Sequence, residues 1–134
     1  LCIMRKVGTI IVPPGVFVSV QEKRVADYIA LHLYEDVTFL LPRRQSGAKT
    51  PDIEMGGNKW EIKCPHGKSS RTIENNLRAA LRQSQHIILD LRRMDGRVPT
   101  NKLLDEASRQ FQLTRKLRHL IVITREEKLI DFAR

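Results

Sequence analysis

The chain has 134 residues, of which 41% are hydrophobic and 29% are charged, a size and mixture typical of a single domain. No apolar run approaches the roughly 18 residues that a membrane-spanning helix needs. The N-terminal segment lacks the zones of a signal peptide, and two cysteines are too few for a disulfide framework. Lysine and arginine outnumber aspartate and glutamate by 24 to 15, which gives a formal net charge of +9. This positive charge favours a polyanionic partner, and nucleic acid is the first to consider.

The spacing of apolar residues predicts alternating strands and helices along the chain. In order, the pattern predicts a strand at 9–12, a helix opened by Ser19 at 20–35, a buried strand at 37–41, a hairpin at 51–64, a helix at 72–84, a strand at 86–91, a helix after Pro99, a strand at 119–124 and a short edge strand at 128–132. Gly56 and Gly57 are typical of a tight hairpin turn, because such a turn requires positive φ. This order predicts an α/β fold with a mixed central β-sheet flanked by helices on both faces.

Three residues of the predicted hairpin are suited to metal chemistry. Glu61 and Lys63 point to one face of their strand because side chains alternate, and a suitable hairpin register brings Asp52 toward Glu61. Two carboxylates can hold a hard divalent cation such as Mg²⁺, and a nearby lysine orients water or neutralises developing charge. The set predicts a metal-dependent phosphodiesterase, although a hairpin with one salt-bridged face contains the same residues.

The same residues resemble a known signature. Pro51-Asp52, followed after 8 intervening residues by Glu61-Ile62-Lys63, resembles the motif of PD-(D/E)xK nucleases, and the predicted order of elements resembles the core of that superfamily over most of the chain. The resemblance implies a restriction-endonuclease-like fold. Other segments resemble the C-terminal toxin domains of CdiA-type contact-dependent growth inhibition proteins, namely Trp60–Pro65, Thr72-Ile73, Leu77–Ala80, Gln83-Ser84, Ile87–Arg92 and Leu120–Thr124.

The second resemblance implies an activity and its partners. It implies a nuclease that acts on transfer RNA. Together with the PD-(D/E)xK signature and the chemistry of the hairpin residues, this predicts an endonuclease, dependent on Mg²⁺ or Mn²⁺, that hydrolyses phosphodiester bonds in RNA. Asp52 and Glu61 would hold the metal, and Lys63 would position water. A secreted or cell-surface parent protein would deliver the domain to act in the cytoplasm, and a cognate immunity protein would neutralise it. The alternatives are a stand-alone relative, a DNA endonuclease of a mobile element on the same fold, and a non-catalytic nucleic-acid-binding domain.

Glu22 has two interpretations. The first core helix of the PD-(D/E)xK superfamily often supplies a third metal-site carboxylate, and Glu22 lies three residues before Val25 on the buried stripe of its helix. Ser19-x-x-Glu22 is equally a capping box, in which the Glu22 carboxylate accepts a hydrogen bond from the Ser19 amide. Glu54, which alternates onto the face of Asp52, is a weaker substitute as a metal ligand.

Basic and polar residues around the hairpin predict contacts with backbone phosphates. The loop with Lys68, Ser69 and Arg71 leads to Thr72, the predicted N-cap of the next helix, where phosphate binds well. Gln83, on a polar face of that helix, is expected to touch the scissile phosphate, the alternative being that it caps a cavity in the core. Aromatic residues make up 5% of the chain, which favours a folded or duplex substrate over stacked single-stranded bases. The remaining candidates for phosphate contact are Arg43, Arg44, Lys49, Arg78, Arg82, Arg92 and Arg93.

The histidines and the single tryptophan carry weaker signals. His66 offers a metal-free alternative by general acid and base catalysis, although a loop histidine is more often a surface residue. His86 and His119 begin predicted strands and are interpreted as ordinary strand residues. Trp60 is expected in the core, on the apolar face of its strand.

Overall fold

In the computed structural model of the chain, residues 6–42, 50–69 and 71–134 are described. They form a mixed α/β structure, as predicted, and none of the helices among them is long and apolar enough to cross a membrane. The chain divides into two compact units, Leu1–Lys59 and Trp60–Arg134. The elements are β1 (Ile10–Ile11), α1 (Val20–His32), β2 (Val37–Phe39), β3 (Ile53–Met55), β4 (Asn58–Lys63), α2 (Arg71–Ala80), β5 (His86–Asp90), α3 (Thr100–Leu113), β6 (His119–Ile123) and β7 (Leu129–Ala133).

The first unit is organised around β2, which pairs in parallel with β1 and antiparallel with β3. The amide of Gly8 donates to the carbonyl oxygen of Ala30 at 2.9 Å, which holds the segment before β1 against α1. α1 begins at Val20 as predicted but ends at His32, before the predicted residue 35. It ends there because Tyr34 adopts φ +57, a left-handed conformation that does not continue a helix. The buried residues of α1 are Val25, Ala26, Tyr28, Ile29 and Ala30.

The turn between β3 and β4 confirms the prediction made from the two glycines. Gly56 and Gly57 have φ +58 and +80, and β3 ends directly before them while β4 begins directly after them. Two successive residues with positive φ are the requirement of a type I′ turn, which glycine meets without steric cost.

The second unit contains three parallel strands, β4, β5 and β6, and β7 runs antiparallel to β6. Ile87 and Leu89 of β5 point to one face and share an apolar cluster with Ile73 of α2 and Leu103 of α3. Both helices therefore lie on this face of the unit. Because α1 belongs to the first unit, the presence of helices on both faces of one sheet stays a prediction. The restriction-endonuclease-like core also stays a prediction.

The ends of α2 differ from the predicted ones. The helix begins at Arg71, so Thr72 lies inside it and is not its N-cap. It ends at Ala80, after which the amide of Gln83 donates to the carbonyl oxygen of Ala80 at 2.9 Å. This bond spans three residues, as in a 3₁₀ turn, and tightens the chain out of the α-helix. Gln83 therefore lies in a turn and does not share a helix face, contrary to the prediction.

Candidate active site

Glu61 and Lys63 form an ion pair on β4, with 3.6 Å between the Lys63 Nζ and the Glu61 Oε2. Their side chains are 4% and 26% exposed, respectively. The strand register pairs Glu61 with Ile87 and Lys63 with Leu89, so the pair lies on the face that carries α2 and α3. Because a buried carboxylate is costly unless it is compensated, the Lys63 ammonium stabilises the charge of Glu61. The result is a charged pair near the carboxyl end of a parallel strand, where α/β proteins commonly bind ligands.

A second ion pair follows β5. Arg92 donates from Nε to Asp90 Oδ1 and from Nη2 to Asp90 Oδ2, each at 2.9 Å, and its Nη1 lies 3.8 Å from Glu127 Oε1. The hydrogen bonds with Asp90 raise the pKa of Arg92, and its side chain is only 9% exposed. The guanidinium of Arg92 is thus held by carboxylates and is mostly buried. Its contact with a backbone phosphate stays a prediction.

In the first unit, Glu22 and Asp52 line one cavity of about 160 Å³. Asp52 stands just before β3, where its carbonyl oxygen accepts a hydrogen bond from the Leu40 amide at 3.0 Å. Glu22 comes from the first turn of α1. The fold of this unit therefore brings together two of the three carboxylates that the sequence assigns to the metal. The other residues that line the cavity are Val16, Phe17, Phe39, Leu40, Pro42, Thr50 and Pro51.

Glu22 also takes part in the predicted capping box. Its amide donates to Ser19 Oγ at 3.1 Å, and its Oε1 accepts from the Ser19 amide at 3.3 Å. The capping box is therefore confirmed. Since Glu22 also lines the cavity with Asp52, the cap does not remove it from the candidate metal ligands.

The carboxylates of this cavity suit a hard divalent cation. Mg²⁺ prefers oxygen ligands and is commonly held by one or two carboxylates, with water and substrate phosphates completing its shell. Glu22 and Asp52 supply such oxygens to one cavity, so these residues fit Mg²⁺. Among residues 6–42, 50–69 and 71–134, no group of three or more His, Cys, Asp and Glu side chains could hold a metal ion. Asp52 and Glu61 belong to different units, and their convergence stays a prediction.

The basic loop before α2 is ordered by Ser69. Ser69 Oγ accepts a hydrogen bond from the Arg71 amide at 3.1 Å, and the Ser69 carbonyl oxygen accepts one from the Thr72 amide at 3.1 Å. The exposed side chain of Lys68 lines a cavity of about 340 Å³ together with Arg97. The part of this cavity formed by Arg97, Val98, Pro99 and Lys102 was not predicted from the sequence. The sequence contains a signal for it, because Arg97 lies within the chain break at Gly96–Pro99 and Lys102 follows it at the start of a helix.

The remaining predicted phosphate contacts differ in their surroundings. Arg78 Nη2 pairs with Glu74 Oε1 at 2.9 Å, one turn earlier on α2, and its side chain is 68% exposed. A surface pair of this kind is weak and leaves Arg78 available to a ligand. Gln83 is partly buried in the turn after α2. Arg43, Arg44 and Lys49 lie outside the described residues.

Trp60, His86 and His119 form a cluster of rings in the second unit. The ring centroid of Trp60 lies 5.2 Å from that of His86 and 4.8 Å from that of His119, and Trp60 is buried as predicted. The His119 Nε2 lies 2.5 Å from Asp131 Oδ1. Burial, followed by the charges of His119 and Arg118, lowers the pKa of His86 below its ordinary value of 6.5. This ring cluster was not predicted from the sequence, although both histidines open predicted strands.

Comparison with known sequences identifies the class of protein. The sequence profile described as "Contact-dependent growth inhibition CdiA C-terminal domain" matches residues 49–129, more than half of the chain. The chain is thus a toxin domain of contact-dependent growth inhibition. It belongs to the CdiA C-terminal domain family.

Comparison with solved structures supports the fold. The chain is similar to one in the structure described as "CdiA-CT/CdiI toxin and immunity complex from Burkholderia pseudomallei", with a TM-score of 0.68 and 16% sequence identity. The match covers 95% of this chain and 100% of the other. At this identity the likeness concerns the fold alone. No curated protein matches the chain.

Proposed function

We propose that this toxin domain is a metal-dependent endonuclease that hydrolyses phosphodiester bonds in RNA, with transfer RNA as its substrate. The observation that carries the proposal is the buried carboxylate of Glu61, 3.6 Å from the Lys63 ammonium. Burying such a charge pair costs free energy, and buried charges of this kind cluster at functional sites. Glu61 and Lys63 are the Glu-x-Lys part of the sequence signature.

The proposed roles follow from the chemistry of each side chain. Asp52 and Glu61 would hold the metal, with Glu22, which lines the same cavity as Asp52, as a third ligand. Bound Mg²⁺ or Mn²⁺ would polarise the scissile phosphate and acidify a water. Lys63 would orient the attacking water through its ammonium group and stabilise negative charge that develops on the phosphate.

Charge and composition favour RNA with a folded structure as the substrate. The net charge of +9 attracts polyanions, and the low aromatic content of 5% provides few rings for stacking on single-stranded bases. Lys68, Ser69, Arg71 and Arg78 would contact backbone phosphates. Recognition would then depend on the shape and charge of a folded RNA.

Family membership supports a delivered toxin with an inhibitor. A secreted or cell-surface parent protein would carry the domain to a target cell, where it would act on RNA in the cytoplasm. A cognate immunity protein would neutralise it. The structural relative is described as part of a toxin and immunity complex, which supports a partner of this kind for the present chain.

The decisive experiment is a cleavage assay. Purified protein is incubated with transfer RNA, total RNA and plasmid DNA, with Mg²⁺, with Mn²⁺ or with chelator. We expect cleavage of transfer RNA that requires the metal and is lost in Asp52→Asn, Glu61→Gln and Lys63→Met, while the control Glu35→Gln, at an exposed position, retains it. Cleavage of plasmid alone would identify the DNA endonuclease. Cleavage in chelator, or by the Glu61→Gln variant, would contradict the metal-dependent assignment.

A further inference from the structure

A cationic cavity lies within the second unit, near the loop that precedes α2. Its volume is about 340 Å³, within the range of roughly 300 to 1,000 Å³ that is usual for ligand pockets. Three cations line it: Lys68 from the loop before α2, and Arg97 and Lys102 from the segment that leads into α3. The other residues that line it are Ser69, Val98 and Pro99.

Backbone hydrogen bonds join the two segments that form this cavity. Gly67 and Met94 form an isolated parallel β-bridge, and the Asp95 amide donates to the Gly67 carbonyl oxygen at 2.9 Å. These contacts attach the loop that carries Lys68 to the segment that carries Arg97.

Arg125 holds the second segment from another side. Its guanidinium donates to the carbonyl oxygens of Asp95 and Val98, and to Thr100 Oγ1 at 3.0 Å. Thr100 in turn donates from Oγ1 to Glu126. Because the backbone around the cavity is bound on two sides, its walls are formed by the fold before a ligand arrives.

The cations of the cavity exceed the nearby carboxylates. Arg97 donates from Nε to Asp95 Oδ1 at 3.0 Å and from Nη2 to Asp95 Oδ2 at 2.7 Å, and these hydrogen bonds lower the pKa of Asp95. Among the residues that the structure describes, no carboxylate lies within ion-pair distance of the ammonium of Lys68 or Lys102. The charged side chains that line the cavity are thus two ammonium groups and a guanidinium, of which the guanidinium pairs with Asp95, an arrangement that favours an anion.

We propose that this cavity binds a phosphodiester group of the RNA substrate, at a position other than the bond that is cleaved. The assignment rests on the proposed function, because it takes RNA as the substrate. Lys68 and Lys102 would neutralise the charge of the phosphate. Arg97 would donate hydrogen bonds to it from the N–H groups of its guanidinium that do not bond to Asp95. The site would fix the position of the RNA and carry no chemistry.

The test measures RNA binding and its dependence on salt, in chelator and in the Glu61→Gln background, so that cleavage does not interfere. The double variant Lys68→Gln/Lys102→Gln is compared with Lys116→Gln/Lys128→Gln, which removes the same charge from exposed lysines elsewhere in the unit. We expect the first variant to bind less tightly and to lower the slope of log K against log salt by about 1. The control is expected to retain most of the affinity and slope.

A second arm of the experiment distinguishes RNA from free phosphate. Inorganic phosphate is titrated into both variants, and backbone amide shifts near Gly67 and Arg97 are followed by NMR. The proposal is supported if phosphate shifts these amides in the control Lys116→Gln/Lys128→Gln but not in Lys68→Gln/Lys102→Gln, and if the salt slope changes as well. Phosphate binding without any change in RNA binding would overturn the assignment to RNA, as would equal behaviour of the two variants or no RNA binding at all.

The two proposals can fail separately. Absence of cleavage by the parent chain, with the difference in salt slope preserved, would refute the nuclease and leave the phosphate site standing. Metal-dependent cleavage together with identical binding by both double variants would refute the phosphate site alone.

Discussion

The Lys63 ammonium lies 3.6 Å from the carboxylate of Glu61, two positions earlier on the same strand, and the Glu61 side chain is only 4% exposed. The ammonium compensates the charge of a carboxylate in the interior of the second unit. Removal of Lys63 would leave that buried carboxylate without this compensation.

Lys63→Met is therefore expected to lower stability as well as activity. Loss of the ammonium removes the positive charge that lies 3.6 Å from the buried carboxylate of Glu61, and because Lys63 itself is partly exposed we expect a loss of about 2 kcal/mol in the free energy of unfolding. Urea denaturation followed by circular dichroism measures it. Lys116→Met, at an exposed loop position, is the control and is expected to change stability by less than about 0.5 kcal/mol. Equal stability of the two variants would show that the pair does not stabilise Glu61.

The two roles of Glu22 can be separated by two substitutions. Gln at position 22 still accepts the hydrogen bond from the Ser19 amide, whereas it loses the negative charge that a metal requires. We expect Glu22→Gln to reduce metal-dependent cleavage at least tenfold, about 1.4 kcal/mol in the activation barrier, with little change in melting temperature. Ser19→Ala is expected to cost about 1 kcal/mol of stability and to preserve cleavage. Full activity of Glu22→Gln would leave Glu22 with the capping role alone.

Gly8 is a position where any side chain meets the backbone. A Cβ there would lie 1.9 Å from the carbonyl oxygen of Glu35, so Gly8→Ala is expected to displace the segment before β1 and to cost about 3 kcal/mol. Gly96→Ala is the matched control, since a Cβ at that position has nothing within 4 Å. Thermal unfolding of the two variants measures the difference, and similar melting temperatures would contradict the predicted close approach.

His86 makes the stability of the second unit depend on pH. Burial, with the charges of His119 and Arg118, lowers the pKa of His86 in the folded protein below its ordinary value of 6.5. The unfolded chain therefore binds a proton more readily, and this contribution to stability is present above the ordinary pKa and is lost as the pH falls through it. Asp131 Oδ1 lies 2.5 Å from Nε2 of the neighbouring His119.

The measurement compares free energies of unfolding at about pH 7.5 and about pH 5.5, on either side of the ordinary histidine pKa. His86→Gln is expected to lose less stability on acidification than the parent chain. His66→Gln, in the exposed loop before α2, serves as the control and is expected to behave as the parent chain does. A larger loss in His86→Gln than in the parent chain would reverse the assigned sign.

Local features of the fold were predictable because each depends on a few neighbouring residues. The Ser19 and Glu22 capping box and the Gly56-Gly57 turn are sequence patterns with a direct backbone meaning, and β5 and β6 begin at the predicted histidines. The ends of the helices were less predictable. α1 ends where Tyr34 adopts φ +57, and no residue type in that segment signals it, since Tyr is not a usual left-handed residue.

Residue types and their spacing alone were sufficient to name Asp52, Glu61 and Lys63 as candidates, to predict a mixed α/β chain and to indicate an anionic partner. Burial and long-range approach required the folded chain. Only the structure shows that Arg92 pairs with Asp90. Only the structure shows that Lys68, Arg97 and Lys102 line the same cavity. The physical reason is that charge and backbone preference belong to single residues and short segments, whereas the surroundings of a side chain depend on how distant segments pack together.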